Sequence, residues 1–139
     1  MLLFFITLSA YSKEQIFDYN KYISNIPTYP KAVVYDLEKE TKIKMRVHLI
    51  EDSFEKVTQF YINEMTQKGW FIEFPDKLEY KIWMEALNKD KSKKPNIMIG
   101  MIDPKTKINC NLSIGVVKDA RLTKEVTIVS IYLTNTMLR

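Results

Sequence analysis

One histidine, one cysteine and one dense run of lysines are the side chains of this chain whose types could do chemistry. His48 is followed by Glu51 and Asp52, but a general base needs an orienting partner and a metal ligand needs companions at fixed spacing. Neither spacing occurs around it, so an exposed structural histidine is expected. Cys110 alternates with Ile108 and Leu112 on the apolar side of a strand pattern, which predicts a buried, inert thiol, since reactive cysteines sit in electropositive and partly exposed surroundings. A lone cysteine also excludes an internal disulfide and any multi-cysteine zinc site.

Asp36, Glu38 and Glu40 are interleaved with a lysine and read as a solvated turn. No EF-hand spacing, Gly-x-Ser-x-Gly, His-Glu-x-x-His or phosphate-binding loop is present. The sequence therefore offers no catalytic, cofactor-binding or metal-binding residue, and a non-enzymatic protein is expected.

The contact candidates are Lys89, Lys91, Lys93 and Lys94, opposed locally by Asp90 alone. Such a run is ordinarily a solvated loop. Its anionic partners would be lipid headgroups or cell-wall polymers, making peripheral membrane association one option. Nucleic acid is disfavoured, because the loop has no aromatic or arginine platform. Trp83 joins the list. In an alternating strand it shares a face with Glu79, Lys81 and Glu85, where an exposed tryptophan marks a contact surface.

The elements that must position these residues fit one domain. A chain of 139 residues can bury roughly 70% of its unfolded surface, and 46% hydrophobic content supports a core. The net charge is +4. Residues 1–70 carry nine positive and nine negative side chains, so the excess lies wholly in the second half. That is a weak pull toward anions.

The opening MLLFFITLSAYSKEQ sets residues 1–12 apart from a domain at 13–139. The apolar run has the length of an export-signal core and is too short to span a membrane. It lacks the usual positive start, and its exit, Leu8-Ser9-Ala10-Tyr11, resembles a lipoprotein box with tyrosine where the lipid-accepting cysteine belongs. An export signal, with its start here or upstream, an N-terminal strand and a short surface anchor are the three readings. The first implies a periplasmic, envelope-associated or secreted bacterial protein, with the mature domain beginning near Tyr11. The second leaves the protein cytoplasmic.

Residues 13–25 have helical spacing, ended by Pro27 and Pro30. Strands are predicted at 31–36 and 42–50, the latter alternating apolar residues with Lys42, Lys44, Arg46 and His48. The main helix runs from Ser53 to Lys68. Asp52 is its expected cap, Phe54, Val57, Phe60, Tyr61 and Met65 are its apolar stripe, and Gly69 is its stop. Strands follow at 70–74, 78–86, 97–102, 108–116 and 126–133, with an Asp103-Pro104 turn. Residues 78–87 also fit a helix, and the strand reading is preferred. The fold expected is α+β: a twisted, mainly antiparallel sheet of about six or seven strands packed on one main helix, with a short N-terminal helix.

The stretch from Tyr29-Pro30-Lys31-Ala32 through Asp52-Ser53, Val57 and Phe60-Tyr61 to Gly69-Trp70 resembles small exported bacterial proteins and lipoproteins of uncharacterised function. Their pattern is a Tyr-Pro-x-Ala strand, an Asp-Ser-x-x-x-Val-x-x-Phe-Tyr helix and a closing Gly-Trp. A glycine usually follows the proline there, and Lys31 departs from it. The resemblance covers about a third of the chain and implies architecture and export, with no catalytic residue to transfer. The function expected is a non-enzymatic exported domain acting on an unknown protein or envelope component. The alternatives are a small inhibitor or immunity-type protein that blocks a partner, and an enzyme without a recognisable motif.

Overall fold

In the computed structural model, which describes residues 18–38, 44–90, 94–119 and 124–135, three helices accompany six strands. The helices are α1 (Tyr19–Ile23), α2 (Phe54–Gln67) and α3 (Lys77–Lys89). The strands are β1 (Val33–Glu38), β2 (Lys44–Ile50), β3 (Phe71–Phe74), β4 (Asn96–Ile102), β5 (Ile108–Asp119) and β6 (Lys124–Asn135). They form one antiparallel sheet in the order β1-β2-β6-β5-β4-β3. The α+β class expected from the sequence is the one observed. The expected N-terminal segment, 1–12, and the first part of the expected helix at 13–25 lie outside the described residues.

The long central pair β5 and β6 carries the core. Period-2 alternation places Arg46, Ile131, Leu112 and Ile99 in one cross-strand row, and His48, Val129, Ile114 and Ile97 in the next. All but Arg46 are buried. Helix α2 lies on this face. Its buried residues are Phe54, Val57, Thr58, Tyr61 and Met65, spaced to form one stripe. Phe60 is only half-buried, and its ring meets the edge of Tyr29 at 4.9 Å.

The start of α2 is set one residue later than expected. Ser53 is the cap, its hydroxyl accepting the Lys56 N–H at 3.3 Å, while Asp52 accepts the Ser53 N–H at 2.8 Å. The end is a Schellman arrangement: Trp70 N–H donates to Met65 O at 3.1 Å and Gly69 N–H to Thr66 O at 3.0 Å. It requires a left-handed residue, and Gly69 has φ of 95°. This turn sends the chain off α2 into β3, at the opposite edge of the sheet from β1.

Residues 77–89 are helical, which corrects the preferred strand at 78–86. The side chains that touch the core are Tyr80, Trp83, Met84 and Leu87, a spacing that closes on one face at 3.6 residues per turn and on neither face of a strand. Asp76 begins the helix by accepting the Glu79 N–H at 2.8 Å. The Asp-x-x-Glu spacing at 76–79 is a helix-start signal, and it outweighs the apparent alternation. The connection from β4 to β5 is held by Asp103, whose carboxylate accepts the Lys105 N–H at 3.1 Å and the Thr106 hydroxyl at 2.8 Å.

Two left-handed positions give stability tests. A methyl group on Gly69 would meet no atom within 4 Å, so Gly69→Ala tests backbone strain alone and is expected to cost about 1 kcal/mol in denaturant unfolding. Lys31 has φ of 64°. With Pro30 before it and Ala32 N–H donating to Tyr29 O at 3.1 Å, it stands where a type II turn favours glycine. Lys31→Gly is expected to stabilise by about 0.5 kcal/mol, the relief of strain exceeding the added chain entropy. A loss of stability would show that the side chain holds the turn.

Candidate functional site

His48 is buried, contrary to the exposed position expected from its strand. β2 lies inside the sheet between β1 and β6, and α2 covers the face that carries His48. The polar half of the alternation is therefore the helix-facing half at this end of the strand. Its partner is the fully buried Tyr61, with imidazole Nδ1 and phenolic oxygen 2.5 Å apart. Tyr61 also accepts the backbone N–H of Tyr29 at 3.3 Å. The Tyr29 hydroxyl donates to Asp52, and the Asp52 carbonyl accepts the Thr127 hydroxyl at 2.7 Å.

Burial lowers the pKa of His48 to about 4, with the Arg46 charge adding to the effect. Burial raises that of Tyr61 above the ordinary phenol range. Both are neutral near pH 7. Of the two neutral tautomers, the one with its proton on Nε2 lets the Tyr61 hydroxyl donate to Nδ1 and leaves fewer buried groups unpaired, since Nε2 has no partner among the described residues in either case. A pair so enclosed presents no reactive atom to solvent. What it does is tie α2 to β2, and through Tyr29 and Asp52 it ties the 27–32 turn to both.

The other sequence candidates separate. Cys110 is fully buried, and burial pushes its thiol up to about 12. Asp36 is held below the usual carboxylate range by Arg46, which reaches it with two hydrogen bonds of 2.8 and 3.2 Å. Trp83 is on the inward side of α3, half-buried, with its ring 5.4 Å from that of Phe54. It is not the exposed contact residue that the strand reading required. Lys89 is exposed at the last turn of α3, and Lys94 is exposed just before β4. Lys91 and Lys93 lie outside the described residues. No group of three or more His, Cys, Asp or Glu side chains able to hold a metal occurs among the described residues. None of the described helices is long and apolar enough to cross a membrane.

The surface feature missed in the sequence lies at the β3 edge. Phe71 is 63% and Leu78 67% exposed, and Ile72, Phe74, Ile82 and Met98 are exposed with them. By register, Phe71, Phe74 and Met98 lie on the sheet face away from α2. The ring of Phe74 covers Gly100, where a Cβ would stand 2.1 Å from the ring. Leu78 and Ile82 are one turn apart on the side of α3 opposite Trp83. Between α2, β3 and α3 opens a cleft of about 620 Å³, walled by Ile62, Trp70, Ile72, Pro75, Tyr80 and Ile99. Its size is that of a small-molecule site. The signal for this region was the second apolar set within the α3 helical pattern, visible only once 77–89 is read as a helix.

Comparison of the chain with protein-family models, with curated proteins and with solved structures gives no match.

The burial of His48 has a consequence for pH. Its folded pKa near 4 lies below the unfolded value near 6.5, so between these pH values the unfolded chain binds a proton that the native protein does not. Stability attributable to His48 is expected to be full above about pH 6.5 and to fall by about 3 kcal/mol as the pH drops to about 4. Urea unfolding of the wild type against His48→Gln measures it as the difference in pH dependence. Parallel profiles would mean that His48 titrates normally in the folded state.

Proposed function

We propose that this chain is a non-enzymatic exported or envelope-associated domain that acts by contact at its β3–α3 end. The observation that carries the reading is the exposed apolar set Phe71, Phe74, Leu78, Ile82 and Met98 beside an open cleft. Apolar side chains gathered at a free sheet edge mark contact surfaces. The His48–Tyr61 pair, a titratable pair in the core of the described residues, is closed to substrate, which favours binding over catalysis. Export is supported by the apolar residues 2–10 and by the Tyr-Pro-x-Ala to Gly-Trp pattern. The basic residues Lys89 and Lys94 flank α3 and β4 and suit an anionic neighbour, with Lys91 and Lys93 completing the run in sequence.

A second reading is an inhibitor or immunity-type protein. It is favoured by the opposite edge, β1, whose Val33, Tyr35 and Leu37 are exposed along a regular six-residue strand. Such an edge can accept a strand from a partner protein. A toxin gene beside the gene for this chain would favour that reading over the first.

A photo-reactive residue placed at Leu78 or Phe71 in the native cell is expected to give discrete heavier species, whereas one placed at Glu125 or Lys124 gives none. Equal labelling from both positions, or none from either, would count against the β3–α3 surface. Mass measurement of the native protein is expected to show residues 1–10 removed.

A further inference from the structure

We infer that the cleft between α2, β3 and α3 is a binding site for a single-chain amphiphile: an aliphatic chain in the cleft and an anionic head at Lys77. The inference rests on the contact reading, since it names a ligand class for the same end of the molecule.

The walls select the chain. Ile62 comes from α2, Ile99 from β4, Tyr80 from α3, and Trp70, Ile72 and Pro75 from the segment that crosses between α2 and α3. They enclose about 620 Å³, within the range that buries most of a small ligand's surface. The polar lining groups are already engaged or peripheral. The Thr66 hydroxyl donates to Ile62 O at 2.7 Å, and the Gln59 amide donates to Asn63 at 2.8 Å. Asp76 accepts the Glu79 N–H.

The head follows from charge. Lys77 is the cation of the lining, and Asp76 is its carboxylate. Asp76 is committed to the start of α3, where the helix dipole opposes its charge. Lys77 enters none of the ion pairs formed among the described residues. Lys77 is exposed, and a long flexible lysine on the wall of a largely apolar cleft packs its stem there and keeps its ammonium in water. A carboxylate or phosphate head meets that ammonium favourably, and a quaternary ammonium head does not.

The test is calorimetric titration of the full chain with dodecanoate, dodecanol and dodecyltrimethylammonium, each below its micelle-forming concentration. Dodecanoate is expected to bind one to one, roughly tenfold tighter than dodecanol (about 1.4 kcal/mol), with the ammonium compound weakest. In NMR spectra the indole N–H resonance of Trp70 is expected to move and that of Trp83 to stay. Lys77→Glu should abolish the preference for dodecanoate. Thr66→Phe, an exposed helix position on the cleft wall, should weaken all three ligands without changing thermal stability. Absence of saturable binding, equal affinity for the three heads, or a Lys77→Glu variant with unchanged preference overturns the proposal. Dodecanoate failing to bind while photo-cross-links form at Leu78 overturns the ligand and leaves the contact surface standing. Binding without cross-links supports the ligand and removes the contact reading.

Discussion

Tyr61 is the residue through which the two layers of this fold are joined. It is fully buried between α2 and the sheet, shares a hydrogen bond with His48 on β2, and accepts the N–H of Tyr29 from the turn before β1. Buried polar groups are costly unless paired. The pairing is therefore specific: α2 shifted along its axis by one turn would leave the phenol and the imidazole Nδ1 without partners. Apolar burial supplies most of the stability of such a core, but it tolerates sliding. The His48–Tyr61 bond fixes where α2 stops. The second arm, from Tyr29 through Asp52 to Thr127, anchors the start of the helix to β6 in the same way.

Once α2 is fixed, the rest of the β3–α3 end follows. The left-handed turn at Gly69 delivers the chain to the far edge of the sheet, where β3 pairs with β4 and with no second strand among the described residues. Asp76 then starts α3, which returns over the core with Trp83 against Phe54. α3 has no fully buried residue. It props against α2 on one side and exposes Leu78 and Ile82 on the other, leaving the cleft open beneath its first turns. A helix with apolar residues on two opposite sides is a poor fit to a lone domain. That mismatch is the physical basis for assigning contact to this end.

Much of this architecture was legible from pattern. The α2 stripe, its glycine stop, the strands β1 and β2 and the apolar alternation of β5 are local signals, and tertiary contacts agree with them. The misreadings have particular causes. Residues 78–86 alternate and also repeat at helical spacing; only the Asp76–Glu79 capping pair decides between them. That choice turns Trp83 from the solvent face of a strand to the inward side of α3, half-buried against the core. His48 was read from its strand alone, whereas its burial is set by α2, a neighbour in space contributed by a later segment. Asp52 and Ser53 are both competent caps, and the Tyr29 hydroxyl occupies Asp52, leaving the helix to Ser53. The cleft was invisible because it is a property of three elements together and of no sequence motif. Lys31, noted as a departure from glycine, turned out to occupy a left-handed position.

The join between α2 and β2 depends on a neutral His48 that accepts a hydrogen bond from Tyr61. Nitrogen-15 NMR of the imidazole in the folded protein, followed from pH 7 to pH 5, tests it most directly. One tautomer is expected, with the proton on Nε2 and Nδ1 accepting a hydrogen bond, unchanged across that interval. A histidine that averages between tautomers and titrates near 6.5, as an exposed one does, would contradict it and release α2 from the position on which the cleft depends.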